Sequence, residues 1–392
     1  MISLERYKTL FAAPDTRRMV AASLLGRLPI GLTGLAILLL VQTSTGSFAR
    51  GGAAAACYVT GLALVAPMLG RLIDRHGPRR ILLAGALVFP SALVLLVAAS
   101  ARADFAWLAF LAAAAAGASF PPITVCMRTY FRQVLADDAL LAAAYSAESV
   151  LIEIIFIVGP LVVALFVAFA SPAMAVWFSA GCGFAGPLLF LRSPALRAWR
   201  IESRTTRGLL GPLANREFVR LVAVVLCFAT AFGFMEIGIT AYAIERADAA
   251  FAGVLLGLMS AGSALGGLAY GSRGWHSPLA RQFAAALALT AFGLAVLAVR
   301  WEPWTLAAWS VVAGIAIAPA LIIQSMLVTK AARPEHSTEA FTWTTSALLA
   351  GVGLGLATGA AMHERLPSSA ALAAGAAASL AAAVGARFLL GR

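Results

Sequence analysis

The sequence predicts an all-α membrane protein of twelve transmembrane helices, arranged as two pseudo-symmetric six-helix bundles with both termini on the cytoplasmic side. Three observations carry this: the composition, the spacing of the apolar runs, and the placement of the basic residues. Of 392 residues, 61% are apolar and 12% charged, against roughly 25% charged in a soluble domain, and no water-soluble fold hides that much hydrocarbon. A helix of about 20 apolar residues crosses the bilayer core with every backbone group bonded internally. The runs are too long and too uniformly apolar for an alternating β-barrel.

Taken in order, the apolar runs place spans near 19–42, 51–70, 81–101, 105–127, 140–169, 173–191, 218–244, 251–271, 279–299, 304–328, 339–362 and 369–390. The lead before the first span is polar and basic and runs into it without a small-residue cleavage site, which reads as a retained first helix. With the N-terminus inside, the segments expected on the cytoplasmic side hold 23 of the 29 Lys and Arg residues. The outer loops hold only Arg50, Arg102, Arg246, Arg300 and Arg365, as the positive-inside rule requires of an even number of spans. The net charge of +12 is thus an orientation signal, and nucleic acid is not an expected partner. The four cysteines, Cys57, Cys126, Cys182 and Cys227, all fall in apolar runs, with neither a disulfide framework nor zinc-ligand spacing.

The longest polar stretch, 192–217, divides the chain into an N-terminal bundle over 1–191 and a C-terminal bundle over 218–392, with a basic cytoplasmic linker between them. The halves repeat. Residues 26–37 (GRLPIGLTGLAI) align with 233–244 (GFMEIGITAYAI), pairing spans one and seven, while a second offset carries Gly70, Gly117 and Pro122 onto Gly267, Gly314 and Pro319. Parallel halves of this kind place a substrate site at the midplane between them. Pro121-Pro122 and Pro319 are expected to interrupt spans four and ten.

Between spans two and three stands Gly70-Arg71-Leu72-Ile73-Asp74-Arg75-His76-Gly77-Pro78-Arg79-Arg80. This resembles the loop signature of the major facilitator superfamily (MFS), G-x-L-x-D-R-x-G-R-R, and with twelve spans, a central linker and the repeat the resemblance covers the whole chain. It implies a transporter of the MFS fold, similar to bacterial drug and metabolite exporters. In such proteins the loop latches the two halves together on the cytoplasmic side, a gating role that falls here to Gly70, Asp74, Arg75, Gly77 and Arg79. Pro78 takes a usually basic position, and the second-half counterpart, 267–273, has lost its acid. Gly159-Pro160 in span five resembles a fragment of the exporters' glycine-proline motif, and a proline kink accounts for it equally well. The Arg that family drug-proton antiporters carry early in span four is absent.

Ionisable groups at bilayer depth cost about 2.5 to 3.5 kcal/mol each, so Arg27, Glu148, Glu153 and Glu236 are the candidates for proton coupling or substrate contact. Three acids face one base, and at least one carboxyl is expected to be protonated part of the time. At 100° per residue, Glu148 and Glu153 stand about 140° apart on span five. Glu148 shares a face with Tyr145 and Gly159, and Glu153 groups with Pro160. Arg27 is expected to pair with a glutamate of span five, so that a proton on the carboxyl breaks the pair; a purely structural ion pair is the bland alternative. Tyr145, Tyr242, Gln324 and Thr344 are candidates for cavity lining.

The histidines lie in loops and no H-E-x-x-H, nucleophile elbow or Walker A motif appears, so neither an enzyme nor a direct user of ATP is expected. The expected function is secondary active transport: proton-coupled export, as an antiporter, of a small amphipathic or cationic solute by alternating access. Uptake or facilitated passage of a small metabolite is one alternative, and a non-transporting sensor or scaffold with the same fold is another. The expected partners are a substrate, protons and membrane lipid, with no cofactor beyond the proton gradient and the chain acting as a monomer. Heavy use of Ala, and of Arg over Lys, suggests a GC-rich bacterial genome and hence the inner membrane.

Overall fold

The structure is a computed structural model that describes residues 8, 10, 12, 14–46, 48–101, 106–193, 196, 199, 211–245, 249–299, 301–363 and 365–390. Most of the expected linker lies outside these residues. Among them are twelve helices long and apolar enough to cross a membrane. They are α1 (Pro14–Thr45), α2 (Phe48–His76), α3 (Pro78–Ser100), α4 in two segments (Ala106–Ser119 and Ile123–Val134), α5 (Asp138–Phe169) and α6 (Pro172–Leu191). The second half supplies α7 (Arg216–Glu245), α8 (Ala249–Gly271), α9 (Leu279–Leu297), α10 in two segments (Pro303–Gly314 and Ile317–Ala331), α11 (Ser337–His363) and α12 (Ser368–Leu389). The fold class read from the sequence is the one observed.

Both prolines of the repeat sit where they were expected to act. Helix α4 breaks at residues 120–122 and α10 at 315–316, because a proline has no N–H for the preceding turn. One boundary differs with consequence. Span four was expected to end at residue 127, yet α4 runs on to Val134. Its last turns are amphipathic, and burying one face against neighbouring helices holds them helical past the first arginine.

The repeat is also a packing repeat. Helix α1 packs on α5 and α6, α2 on α4, and α3 on α4 and α6, while α7 packs on α11 and α12, α8 on α10, and α9 on α10 and α12. Between the halves, α2 meets α11, and α5 meets α8 and α10. Small residues make the tightest of these contacts possible. A Cβ on Gly117 would collide with the carbonyl of Tyr58, and one on Gly314 with that of Met259, so the α2–α4 and α8–α10 pairs are built alike.

Three apolar cores result among the described residues. One contains residues from both halves, among them Ile73, Tyr130, Tyr145, Phe283, Val328 and Phe341, and lies at the end of the bundle that carries the basic loops. The other two belong to one half each: Leu32, Val41, Phe89 and Phe120 in the first, and Tyr242, Leu255, Leu306 and Leu372 in the second. The halves therefore share a core at the basic end and keep separate cores toward the other.

Candidate coupling site and gate

The contact between the halves is built from the turn between α2 and α3. Gly77 there has φ +78°, a conformation that glycine adopts without strain, and it lets α2 end directly against the start of α3. This leaves Asp74 in the last turn of α2, facing α11 of the other half. Its two carboxylate oxygens accept the backbone N–H groups of Thr338 (3.0 Å) and Glu339 (2.8 Å). A carboxylate supplied by one half thus caps the helix N-terminus of the other, satisfying two orphan donors and meeting the positive end of the helix dipole. Arg71, one turn earlier, donates from Nε (3.0 Å) and Nη2 (2.6 Å) to Oε1 of Glu339, whose own side chain is 2% exposed. Gly70 makes this proximity possible, since a Cβ there would collide with Thr342.

The contact uses part of the loop signature. Gly70 and Asp74 stand at the contact, and Gly77 forms the turn beside it. Arg75 and Arg79 are exposed and their side chains form no hydrogen bond or ion pair among the described residues, and the basic partner at the contact is Arg71. Glu339 was read only as the start of span eleven. Its signal in the sequence, an acid in the first turn of a helix, is too common to single out.

Further cross-half bonds continue the seal inward. Arg132 Nη2 donates to the Ala332 carbonyl (2.7 Å), and Thr129 and Thr338 share a hydroxyl bond (3.1 Å). Tyr145 and Thr329 share another (2.9 Å), and Ser146 Oγ donates to the Gly267 carbonyl (2.7 Å). Ser346 Oγ donates to the Ala63 carbonyl (2.6 Å), and Ser263 Oγ to Oε1 of Glu153 (2.8 Å).

Immediately beside this seal lies a buried charge cluster where α1, α4 and α5 meet. Arg27 Nη2 donates to Glu148 Oε1 at 2.8 Å, and Arg128 Nε to Glu148 Oε2 at 3.0 Å. Arg27 and Glu148 side chains are each 1% exposed and Arg128 12%. Both oxygens of one carboxylate are taken by guanidinium groups, and the cluster carries two positive charges against one negative. Nε and Nη1 of Arg27 are buried without a hydrogen-bond partner among the described residues. The expected pairing of Arg27 with a glutamate of α5 is the one present. Arg128 escaped the sequence reading because span four was ended one residue before it.

The remaining candidates are dispersed. Glu153 is half-buried against Ser263 of α8. Glu236 is exposed on α7, on the side turned away from Gly238, which packs against Leu372 of α12. Three of the four expected cavity-lining groups make hydrogen bonds within the protein. Tyr145 belongs to the seal, Tyr242 donates to the Trp301 carbonyl (3.0 Å), and Thr344 bonds back to its own helix. Gln324 is buried in α10 with Oε1 unpartnered among the described residues. Gly159 packs against the backbone of Gly31 in α1, and Pro160 is exposed beside it.

Among the described residues, a twelve-helix membrane bundle built from two repeated halves and bonded across one end is the architecture in which transporters place a substrate site between the halves. Residues 19–283 match the model of the Major Facilitator Superfamily, which is more than half of the chain, and the protein belongs to that family. Several solved structures are similar in fold. A bacterial homologue of the iron transporter ferroportin in an outward-facing state aligns with a TM-score of 0.79 at 12% identity, over 96% of this chain and 99% of its own. The human organic anion transporter MFSD10 (TETRAN) aligns with a TM-score of 0.75 at 17% identity, over 95% and 100%. The E. coli fucose:proton symporter FucP gives 0.74 at 11%, over 96% and 98%. No curated protein sequence matches significantly.

Proposed function

We propose that this secondary transporter exports a small amphipathic or cationic solute across the bacterial cytoplasmic membrane in exchange for protons, and that Glu148 carries the coupling proton. The observation that carries the reading is the buried carboxylate of Glu148 shared by Arg27 and Arg128. A proton on Glu148 would leave two guanidinium groups facing each other without a counter-charge, an arrangement costly enough to force a repacking of α1, α4 and α5. The seal is mounted on those same helices: Thr129 follows Arg128 directly, and Tyr145 and Ser146 lie within one turn of Glu148. Protonation and separation of the halves are in this way linked through one cluster.

The positive-inside rule makes the sealed end cytoplasmic, so the chain is read as outward-facing, like the ferroportin homologue it resembles in fold. Glu153 lies five residues beyond Glu148, about 7.5 Å along the helix toward the outer side. It is the helix-five carboxyl that a proton from outside would meet first.

The test is ethidium uptake into inverted vesicles under an imposed pH gradient, comparing the wild type with Glu148→Gln at matched expression. Uptake that collapses with the gradient and is lost in the variant is the expected result. Uptake that survives in the variant would remove Glu148 from the coupling. A second reading, an anionic solute, is favoured by the excess positive charge of the cluster and by the two nitrogens of Arg27 that have no partner among the described residues. It predicts uptake of carboxyfluorescein in place of ethidium in the same vesicles.

A further inference from the structure

Away from the path between the halves, α8, α9 and the broken part of α10 enclose a pocket of about 520 Å³. It lies at the basic end. The turn from α8 to α9 forms its mouth, with Arg273 and Arg281 on the rim. Both arginines are exposed, and neither side chain makes a hydrogen bond or ion pair among the described residues. Arg281 sits in the first turn of α9, whose N-cap, Pro278, offers no side-chain acceptor. A cation at the positive end of a helix dipole is unfavourable unless an anion joins it.

The rest of the pocket has the opposite character. Below the rim it is lined by Ala285, Leu289, Ile315, Pro319 and Ile323, and Leu289, eight residues after Arg281 in α9, lies about 12 Å deeper than Arg281 along the helix. Leu289 is 50% exposed and Trp275 49%, so the pocket opens sideways to the surface that a bilayer would cover. Trp275 is held in place at the mouth, stacked on Tyr270 with ring centroids 5.3 Å apart and donating from its indole N–H to the Tyr270 carbonyl.

We propose that this pocket binds an anionic phospholipid of the cytoplasmic leaflet, with its phosphate between Arg273 and Arg281 and an acyl chain along α9 and α10. Paired unneutralised arginines at the interface above an apolar slot open to the membrane match a molecule with an anionic head and a hydrocarbon tail. A soluble anion would leave the slot empty, and a zwitterionic lipid would leave the arginines unmatched. The occupant touches the break in α10, the helix that also carries the Thr329 bond of the seal.

Trp275 reports the site locally. Purified protein is titrated in detergent micelles with phosphatidylglycerol or phosphatidylcholine bearing brominated acyl chains, and the quenching lost on Trp275→Phe is taken as the signal of this pocket. The expected result is quenching by the anionic lipid at concentrations where the zwitterionic one has little effect, undiminished by inorganic phosphate. Arg273→Gln/Arg281→Gln should shift half-quenching to about thirtyfold more phosphatidylglycerol, from about fivefold per basic side chain near an anionic surface. Arg273→Lys/Arg281→Lys should restore most of it. Equal quenching by the two lipids, no quenching attributable to Trp275, or an unshifted curve in the glutamine variant would each overturn the proposal. None of these readings depends on transport.

Discussion

At the scale of single residues, the decisive object is one carboxylate held by two guanidinium groups. Breaking a buried ion pair by removing one partner costs about 3 to 5 kcal/mol, because the remaining charge is stranded. Glu148→Ala is therefore expected to lower thermal stability in detergent by that order. Adding Arg27→Met, which removes one of the two stranded cations, should return part of the loss, so the two substitutions will be strongly non-additive in a melting assay. Arg27 and Glu148 were legible in the sequence because a charge inside an apolar run is conspicuous. Arg128 was not, since an arginine at the edge of a run looks the same whether it faces headgroups or a buried carboxylate. Only the depth to which α4 continues separates the two cases.

At the scale of helices, packing is set by where backbones must touch. Gly159 of α5 lies against the backbone of Gly31 in α1, whereas a Cβ at Gly34 meets nothing within 4 Å. Gly159→Val should therefore destabilise the protein by about 1 to 3 kcal/mol, the range for overpacking a tight contact, while Gly34→Val should change little. A fluorescence-based melting series on the two variants checks this, and equal losses would contradict it. The same contact bears on the glycine-proline pair of α5, because packing against α1 accounts for Gly159 whatever the direction of transport. The breaks in α4 and α10 were legible, since proline removes a known donor. The extension of α4 was not, since its stability comes from tertiary burial of an amphipathic turn.

At the scale of the whole molecule, the two halves meet through a shared core and a capped helix at one end. If Asp74 and Arg71 hold that end closed, Asp74→Asn and Arg71→Gln should shift the population toward an opening on the cytoplasmic side. Ser346, bonded to the Ala63 carbonyl across the halves, reports it: in a background with the four native cysteines replaced, Ser346→Cys should react several-fold faster with a membrane-impermeant maleimide in inverted vesicles when either gate substitution is added. Arg75→Gln and Arg79→Gln should have much smaller effects, because their side chains are exposed and unbonded among the described residues. Equal effects from all four substitutions would return the gate to general loop electrostatics.

The sequence by itself determined the helical membrane fold, the pairing of the halves and the existence of charges within the spans. Apolar length, proline and charge placement act locally or against the bilayer as a solvent, so they are written in the order of residues. The tertiary structure alone decided which charges meet. Arg128 reaches Glu148 across 20 positions, and Arg71 reaches Glu339 across 268. Partners so distant in the chain are brought together by close packing of helices, whose rotation and depth are fixed by contacts along their whole length rather than by any local pattern. Tyr145, Tyr242 and Thr344 make the same point, since a polar side chain in an apolar run must find a partner, and only the packed neighbours determine whether that partner is a substrate, another helix or its own backbone.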